Sequence, residues 1–409
     1  MSDLKLAYDI LSSVYLDKAY ASLELSKQID KANKKEFVTS LVYGVIERDI
    51  ELDYCITKLC AKKPKNALII VLKLGMYQIK YMNSIPTYAA VSNTVDLCKE
   101  IKKQEVTGFV NATLKNFSSK TIDLPKDKYQ RISVEYSAPV FIVKEYVEEY
   151  GDEKAKAMLS KTKFNFEHFR VTKKFSYSEL IKLLDENKIE YIKSLPNSVY
   201  AKNDKIMHDL YSAGKVTIQS KTSMLTCEEM APQDGDQILD LCAAPGGKSV
   251  YMAELATCNV TACDIHPHRV ELIESYKRRL GVENVTTKVL DATKENKAFF
   301  DKFDKVLCDV PCSGLGVAKK KPDIYLNMTK DSIKDLPNIQ YKILNNAKSY
   351  VKVGGVLMYS TCTTLPEENI DVITKFLSEN SNFEKVFEKQ YLQDEEGLDG
   401  FYICKMVRR

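Results

Sequence analysis

The 409-residue sequence predicts a multidomain protein: an all-α helical bundle, then a small α+β segment, then an α/β domain with a doubly wound sheet. Three observations lead to this prediction. Apolar residues recur every three or four positions from residue 4 to residue 117, as on the buried faces of helices. Mixed strand and helix patterns follow. From Gln237 onward, short apolar runs alternate with helical segments, which is typical of a mainly parallel sheet.

Composition and charge narrow the class of protein. The 44% hydrophobic and 28% charged residues are ordinary for a globular protein, and a net charge of +4 is too small for a protein that coats a polyanion. The 11 cysteines contain no Cys-x-x-Cys pair and the 4 histidines are dispersed, so no metal site is predicted. The amino terminus lacks an apolar signal segment, and no run reaches roughly 18 apolar residues. We therefore expect a cytoplasmic protein with free thiols and no membrane association.

Residues 1–125 are predicted to form an independent helical bundle. Ala67 to Met82 is almost continuously apolar and is expected to be its central, buried helix. The segments Thr87–Ile101 and Val106–Phe117 continue the helical pattern. Prolines separate the segments, at Pro64, Pro86 and Pro125.

Residues 126–232 are predicted to contain linker helices and a small α+β segment of RRM-like kind. Pro139 suits the first turn of a helix that runs to Tyr150, and Gly151 suits its end. Between the later strands, Ser178 to Asn187 is expected to be a helix. The strands are expected at Phe164–Thr172, Ile189–Ser194 and Val216–Ser220.

Residues 233–409 carry the alternating pattern of the doubly wound sheet. Strands are predicted at Ile238–Leu241, Val260–Asp264, Val285–Leu290, Phe303–Asp309, Gly355–Thr361 and Phe401–Met406. Helices are predicted at Lys248–Ala256, Pro267–Leu280, Asp331–Val351 and Glu367–Leu377. Ligands of such sheets bind at the carboxyl ends of the strands, so functional residues are sought there.

A short loop rich in small residues follows the first of these strands. Cys242 to Lys248 reads Cys-Ala-Ala-Pro-Gly-Gly-Lys, in which glycines let backbone approach a ligand and the next helix offers free N–H groups. The spacing fits neither G-x-G-x-x-G nor a phosphate loop, and a turn that binds nothing is the plain alternative. Acidic residues at four successive strand ends favour an adenosine-type cofactor lying across the strand tips: Asp240, Asp264, Asp291 and Asp309.

Two cysteines also follow predicted strands, Cys312 after Asp309-Val310-Pro311 and Cys362 after Ser360-Thr361. Free cysteine is often a buried core residue, as we expect for Cys242 and Cys308. Two thiols at one rim of a sheet instead indicate covalent chemistry. A thiolate can add to carbon 6 of a pyrimidine, which makes carbon 5 able to accept a methyl group, and a base must later remove the carbon 5 proton. Asp309 could hydrogen-bond the ring nitrogen of the base during attack.

The motifs of this region resemble those of a known enzyme family. Cys242–Lys248, Asp309–Gly314 and Thr361-Cys362, with Glu367-Glu368-Asn369, match in order the motifs of the RNA cytosine-5 methyltransferases. The resemblance covers about 237–409 and includes Asp399-Gly400-Phe401-Tyr402, similar to the family's terminal Asp-Gly-Phe-Phe. Members often carry Gln-Asp-Glu where this chain has Gln219-Ser220-Lys221.

The first 125 residues resemble the helical RNA-binding domain of the antitermination factor NusB. The residues that carry this resemblance are Tyr43-Gly44-Val45, Leu74-Gly75-Met76-Tyr77-Gln78, Ile85-Pro86 with Ala89-Ala90-Val91, and Gly108-Phe109-Val110-Asn111. A NusB-like domain fused to this catalytic region resembles the bacterial 16S ribosomal RNA cytosine-5 methyltransferases of the RsmB/Sun type.

The resemblance implies a Rossmann-like class I methyltransferase domain that binds S-adenosyl-L-methionine. It assigns Cys362 as the nucleophile and Cys312 as the thiol that assists product release, with Asp309 beside them. DNA cytosine methyltransferases attack with a Pro-Cys thiol instead, so this order rests on the Thr-Cys motif. The implied cofactor-binding residues are Cys242, Ala243, Ala244, Pro245, Gly246, Gly247, Lys248, Asp264, Arg269, Asp291 and Asp309.

The predicted function is methylation of carbon 5 of a cytosine in 16S ribosomal RNA, before or during subunit assembly, by a monomer. The same chemistry on transfer RNA or another RNA is the first alternative. A non-catalytic RNA-binding or antitermination factor is the second, and the intact thiols argue against it. Candidate phosphate contacts are the lysine runs Lys319–Lys321 and Lys58, Lys62, Lys63 and Lys65, for which an ordinary solvated surface is the alternative.

Overall fold

The computed structural model describes residues 2–161, 164–393 and 397–409. The chain forms two compact units, which are described separately. The first contains Met1–Lys161 and Ala318–Lys330, and the second contains Thr162–Val317 and Asp331–Arg409. The first unit therefore includes a segment that interrupts the second unit in sequence. The sequence-based boundaries at residues 125 and 232 stay predictions.

Helices make up the first unit, as the periodicity predicts. Its central helix is Asn66–Tyr81, buried over most of its length, in close agreement with the predicted Ala67–Met82. Gly44 faces the ring of Tyr77, where a β-carbon would collide with the ring, so glycine is required at this crossing. The helices are α1 Asp3–Leu16, α2 Ala21–Gln28, α3 Lys35–Glu47, α4 Asp49–Leu59, α5 Asn66–Tyr81, α6 Thr87–Glu100, α7 Thr107–Ser119, α8 Lys128–Tyr136, α9 Val140–Tyr150 and α10 Asp152–Leu159.

The segment Ala318–Lys330 is tied to the helices of the first unit by polar and apolar contacts. Asp323 Oδ2 accepts a hydrogen bond from Ala21 N at 3.3 Å, and Leu326 packs against the helical core. Lys330 Nζ lies 3.5 Å from a carboxylate oxygen of Glu145. Lys319 is half-buried and donates to the carbonyl of Ala157 at 3.1 Å, so it is a structural residue of this unit.

The second unit begins with a small antiparallel sheet. Its strand order is β2-β3-β1-β4, and the strand β3 and helix α12 were not predicted from the sequence. A capping box formed by Ser176 and Glu179 starts the helix α11. The elements are β1 Glu167–Val171, α11 Tyr177–Glu186, β2 Tyr191–Lys193, β3 Ser198–Ala201, α12 Lys205–Ser212, β4 Val216–Ile218 and α13 Lys221–Met230.

A seven-stranded sheet forms the rest of the second unit and confirms the predicted doubly wound α/β class. The strand order is β10-β11-β9-β8-β5-β6-β7, with a parallel core from β9 to β7 and two antiparallel strands at one edge. The elements are β5 Gln237–Asp240, α14 Gly247–Leu255, β6 Asn259–Asp264, α15 Pro267–Leu280, β7 Val285–Val289, β8 Phe303–Asp309, α16 Lys330–Ile333, α17 Leu336–Ala347, β9 Val351–Thr361, α18 Ile370–Glu379, β10 Phe383–Tyr391 and β11 Phe401–Arg408.

Hydrophobic clusters cover both faces of this sheet. Along β8, Val306 and Cys308 belong to the cluster that includes residues of α17 and α18. Leu307, which points to the opposite face, belongs to the cluster that includes residues of α13, α14 and α15. Helices therefore pack on both sides of the parallel strands, which leaves the strand ends as the open rim.

The prediction of one long helix over Asp331–Val351 is wrong. The chain forms two helices with a break before Leu336, where Pro337 occupies the first turn of α17. Proline lacks an N–H and clashes with the preceding turn, so it starts a helix more readily than it continues one. Val351 already belongs to β9. None of the described helices combines the length and apolar character needed to cross a membrane.

Candidate active site

The thiols of Cys312 and Cys362 lie side by side at the rim of the sheet. Cys312 is in the loop after β8, and Cys362 is the residue directly after β9. These two strands are parallel neighbours, with Asp309 opposite Ser360. The two Sγ atoms are 3.3 Å apart, and both side chains are half-buried. Adjacent parallel strands therefore bring together two thiols that are fifty residues apart in sequence.

Close backbone packing fixes the loop that carries Cys312. Gly316 N donates to the carbonyl of Cys362 at 3.0 Å, and Gly400 N donates to the carbonyl of Gly316 at 2.9 Å. A β-carbon on Gly316 would collide with the backbone of Gly400. The loop after β8 is thus hydrogen-bonded to the residue of the second thiol and to the start of β11.

Glu368 joins the two thiol-bearing loops. Its side chain is 1% exposed and accepts from Ser313 N at 2.9 Å, next to Cys312, and from Thr363 Oγ1 at 3.3 Å, next to Cys362. Gln340 Nε2 donates to the same carboxylate at 2.8 Å and to the carbonyl of Pro311 at 3.0 Å. A buried carboxylate is stabilised by such donors, so Glu368 fixes the distance between the loops.

Asn369 completes this arrangement on the side of Cys362. Its Oδ1 accepts from Thr361 Oγ1 at 2.5 Å, and its Nδ2 donates to the carbonyl of Thr363 at 3.1 Å. The residues on both sides of Cys362 are therefore held by one buried amide. The sequence indicated Glu368 and Asn369 only through the family motif, and it gave no signal for Gln340.

The neighbouring Cys362 affects the ionisation of Cys312. The hydrogen bond with Cys362, together with burial, raises the pKa of Cys312 well above that of a free thiol. Removing a second proton would place two negative charges 3.3 Å apart, so one proton is retained on the pair. The arrangement therefore disfavours two negative charges on the neighbouring sulfur atoms.

Asp309 links the thiol region to the loop Cys242–Lys248. Its Oδ1 accepts from Ser360 Oγ at 2.7 Å, and its Oδ2 lies 2.6 Å from Lys248 Nζ. Burial lowers the pKa of Lys248, but the nearby Asp309 carboxylate outweighs this effect and the pKa is raised. Lys248 also lies 5.2 Å from the centre of the Phe401 ring. The cation is therefore held at the rim by a carboxylate and an aromatic face.

The loop Cys242–Lys248 forms a tight turn between β5 and α14. Ala243 N donates to the carbonyl of Cys263 at 2.7 Å, and Gly246 N donates to the carbonyl of Ala243 at 2.7 Å. Gly246 has φ +107°, and a β-carbon there would lie 3.1 Å from Ile273, so glycine is required on both counts. Burial raises the pKa of the Cys242 thiol far above its usual value, which favours its protonated form.

Two of the strand-end carboxylates are held in place by residues that follow them closely in sequence. Asp264 is 2% exposed and lies 3.4 Å from Arg269 Nη1, while Arg269 Nη2 donates to the carbonyl of Ala244 at 3.2 Å. The hydroxyl of Thr293 donates to Asp291 and lowers the pKa of that carboxyl. Arg269 therefore connects the carboxylate at the end of β6 with the loop after β5.

Asp240 differs from the other carboxylates because it is inside the sheet. It is 1% exposed, and burial raises its pKa to about 7 although Ser249 donates to its Oδ2 at 2.6 Å. Its Oδ1 has no hydrogen-bond partner among the described residues. The strand tips fit an adenosine-type group that carries hydroxyls. The features that fit it are this orphaned acceptor, the glycine turn, and the acceptors Asp264 and Asp291. Ile265, 48% exposed beside Asp264, is an apolar neighbour that the sequence analysis did not single out.

Comparisons with known proteins agree with this architecture. Residues 227–407 match the family model described as 16S rRNA methyltransferase RsmB/F, and residues 1–119 match that of the NusB family. A probable ribosomal RNA small subunit methyltransferase B from Bacillus subtilis (strain 168) is 32% identical over 99% of this chain and 98% of its own length. The chain belongs to the ribosomal RNA small subunit methyltransferase B family.

Further relatives and solved structures share this family or fold. A ribosomal RNA small subunit methyltransferase B from Proteus mirabilis (strain HI4320) is 30% identical over 94% of this chain and 93% of its own length. The crystal structure of PH0851 superposes with a TM-score of 0.85 at 21% identity, over 99% of both chains. NSun6 from Pyrococcus horikoshii with SFG gives a TM-score of 0.59 at 21% identity, over 66% of this chain and 98% of its own. These two structures share the fold.

Proposed function

We propose that this methyltransferase transfers a methyl group to carbon 5 of a cytosine in 16S ribosomal RNA through a covalent adduct with Cys362. The observation that carries the proposal is the pair of thiols, 3.3 Å apart at the rim of the sheet. Membership of the ribosomal RNA small subunit methyltransferase B family supports ribosomal RNA as the substrate.

S-adenosylmethionine is the proposed cofactor, and the geometry at the strand tips supports it. The loop Cys242–Lys248 would approach it with backbone, and Asp264 and Asp291 would accept hydrogen bonds from its hydroxyls. Ile265 would offer an apolar face to its base. When bound, S-adenosylmethionine supplies a methyl group carried on a sulfonium, which is the electrophile that the reaction needs.

The first step assigned to the chain is attack by the Cys362 thiolate. A bond forms between Cys362 Sγ and carbon 6 of the cytosine, and the electrons of the 5,6 double bond move toward carbon 5. As charge develops, the ring nitrogen takes up a proton from solvent, and the Asp309 carboxylate would accept a hydrogen bond from that N–H. This addition turns carbon 5 into the nucleophile that accepts the methyl group.

Release of the product is assigned to Cys312. Adduct formation converts Cys362 into a neutral thioether, which removes the main cause that raises the pKa of Cys312. Cys312 can then lose its own proton to solvent, and the resulting thiolate takes the proton from carbon 5. As that proton leaves, the bond between carbon 6 and Cys362 breaks and the double bond is restored. The order of the two thiols follows the Thr-Cys motif.

Bisulfite sequencing tests the substrate directly, because a methylated cytosine resists conversion. In a strain that lacks this protein, one cytosine of 16S ribosomal RNA should become convertible, and the wild-type gene should restore its protection. The gene carrying Cys362→Ala should fail to restore it. Unchanged 16S ribosomal RNA with a newly convertible cytosine in transfer RNA would move the same chemistry to that substrate.

A further inference from the structure

One guanidinium contacts two positions on a single face of helix α14 directly and a third through Gln219. Arg170, in β1, is 1% exposed and forms an ion pair with Glu254 near the end of the helix. Its guanidinium carbon lies 4.3 Å from the centre of the Tyr251 ring. Through Gln219 it also reaches Gly247, the first residue of α14. Residues 247, 251 and 254 are spaced by one and two helical turns, so they share one face.

Gln219 is the link between Arg170 and the loop after β5. Its Oε1 accepts from Arg170 Nε at 2.8 Å, and its Nε2 donates to the carbonyl of Gly247 at 3.3 Å. The side chain is 6% exposed. Because Arg170 Nε can only donate and the carbonyl can only accept, these two contacts fix the orientation of the Gln219 amide.

The backbone of Gln219 is held as firmly as its side chain. Gln219 N donates to the carbonyl of His168 at 3.1 Å, and the His168 Nδ1 lies 2.6 Å from the carbonyl oxygen of Gln219. His168 is itself 4% exposed and lies in β1 beside Arg170. The amide that reaches Gly247 is therefore attached to a rigid part of the small antiparallel sheet.

We propose that Gln219 is a positioning residue for the cofactor loop, with Arg170 as its support. The loop contains Gly246 and Gly247, and glycines have more conformational freedom to lose than other residues. A hydrogen bond on the Gly247 carbonyl holds the first turn of α14 in place before the cofactor binds. The small antiparallel sheet thus contributes to cofactor affinity without contacting the cofactor. The inference rests on the proposed S-adenosylmethionine site.

Isothermal titration calorimetry of the full-length protein with S-adenosylmethionine tests the inference. Gln219→Met keeps the length of the side chain but removes both hydrogen bonds. Because only one of them reaches the cofactor loop, the dissociation constant for S-adenosylmethionine should rise roughly 5- to 30-fold, as for the loss of one buried hydrogen bond. Gln219→Glu still accepts from Arg170 but, when ionised, cannot donate to Gly247, and should weaken binding similarly. The kcat at saturating cofactor and the KM for RNA should stay within about twofold of wild type.

Lys174→Met is the matched control. Lys174 is exposed in the same small sheet region and donates to the carbonyl of Arg279 in α15 at 2.8 Å, which is a different helix of the sheet domain. This variant should bind S-adenosylmethionine like wild type. Hydrogen exchange of the peptide covering residues 242–249 should accelerate in both Gln219 variants and stay unchanged in the control.

The outcomes separate the inference from the proposed function. Wild-type affinity in both Gln219 variants, with unchanged exchange in residues 242–249, would overturn the positioning role alone. An equal loss of affinity in Lys174→Met would also overturn it, because the effect would then be a general loosening. A wild-type protein that binds no S-adenosylmethionine would overturn both the proposed cofactor and the inference.

Discussion

Lys248 Nζ lies 2.6 Å from Asp309 Oδ2, which joins the loop after β5 to the end of β8. The ion pair is partly shielded, with the two side chains 13% and 26% exposed. Asp309 also accepts from Ser360, the residue two positions before Cys362. One carboxylate thus contacts both the proposed cofactor loop and the strand that leads to the second thiol.

Replacing Asp309 by asparagine should strongly reduce catalysis. The amide cannot neutralise Lys248 or offset the positive charge of the protonated cytosine ring, so kcat should fall roughly 10²- to 10⁴-fold, the usual range for a positioned acid–base group. Single-turnover methylation of 16S ribosomal RNA measures this. Ser360→Ala removes only one hydrogen bond to the same carboxylate, so kcat should fall less than roughly tenfold. Equal effects of the two variants would contradict a direct role for Asp309.

The two thiols should give opposite results when each is replaced by alanine. Cys362→Ala should abolish methylation without forming an adduct, because the attacking sulfur is missing. Cys312→Ala should accumulate a protein–RNA complex that resists denaturing electrophoresis, because the carbon 5 proton is no longer removed. Cys308→Ala replaces a buried thiol of β8 and is the control. It should methylate RNA as the wild type does and should accumulate no complex. A trapped complex with Cys362→Ala would reverse the two roles.

Glu368→Gln should disturb the thiol region and leave the cofactor loop intact. An amide NH₂ would face one of the donors Ser313 N, Gln340 Nε2 or Thr363 Oγ1, and a buried mismatch of this kind costs about 1–3 kcal/mol. We expect a lower thermal midpoint and a reduced kcat, with unchanged affinity for S-adenosylmethionine. Glu367, the exposed residue before Glu368, provides the control. Glu367→Gln should have the thermal midpoint and kcat of the wild type. Full activity in Glu368→Gln would show that the loops need no such link.

Asp240 should make the second unit less stable as the pH rises. Its pKa is raised to about 7 in the folded chain, so the folded state favours the neutral form, whereas the unfolded chain ionises near pH 4. The stabilising contribution is therefore complete below about pH 4 and is lost as the pH rises to 7, a change on the order of 4 kcal/mol.

The comparison with Asp240→Asn isolates this effect, because asparagine does not ionise. Urea unfolding is measured at pH 4.5 and pH 8 without cofactor and is monitored by hydrogen exchange of the β5 peptide. It gives the free energy of unfolding of the wild type and of the variant at each pH. The variant should gain stability relative to wild type between the two pH values. A constant difference would mean that Asp240 is ionised in the folded chain.

Much of the sheet domain could be predicted because apolar runs and strand-end residues are local signals. Phe303–Asp309 was predicted with the bounds that the structure has. The edge strand β10 was missed since charged residues fill it at Glu384, Lys385 and Glu388, and an edge strand needs little apolar surface. The broken helix before α17 was missed because the apolar period continues across Pro337 while the backbone does not.

The proximity of the two cysteines could be predicted, because each follows an apolar run that forms a strand, whereas their catalytic roles stay predictions. The partners that hold the candidate site could not, because Gln340 and Gln219 are glutamines whose role depends on long-range packing. Arg170 is a similar case, since a buried arginine paired with Glu254 leaves no pattern in the sequence. Such residues become visible only when distant segments are brought together.

The interrupted order of the two units has a consequence for synthesis on the ribosome. The helical unit includes Ala318–Lys330, whose Leu326 packs against its core and whose Asp323 accepts a hydrogen bond from the start of α2. Its folding therefore cannot finish when residue 161 is made. At 5–20 residues per second, it waits roughly 10–30 s for residue 330. A nascent chain stalled before that point carries an incomplete helical unit, so an isolated fragment ending at residue 161 lacks part of its own core.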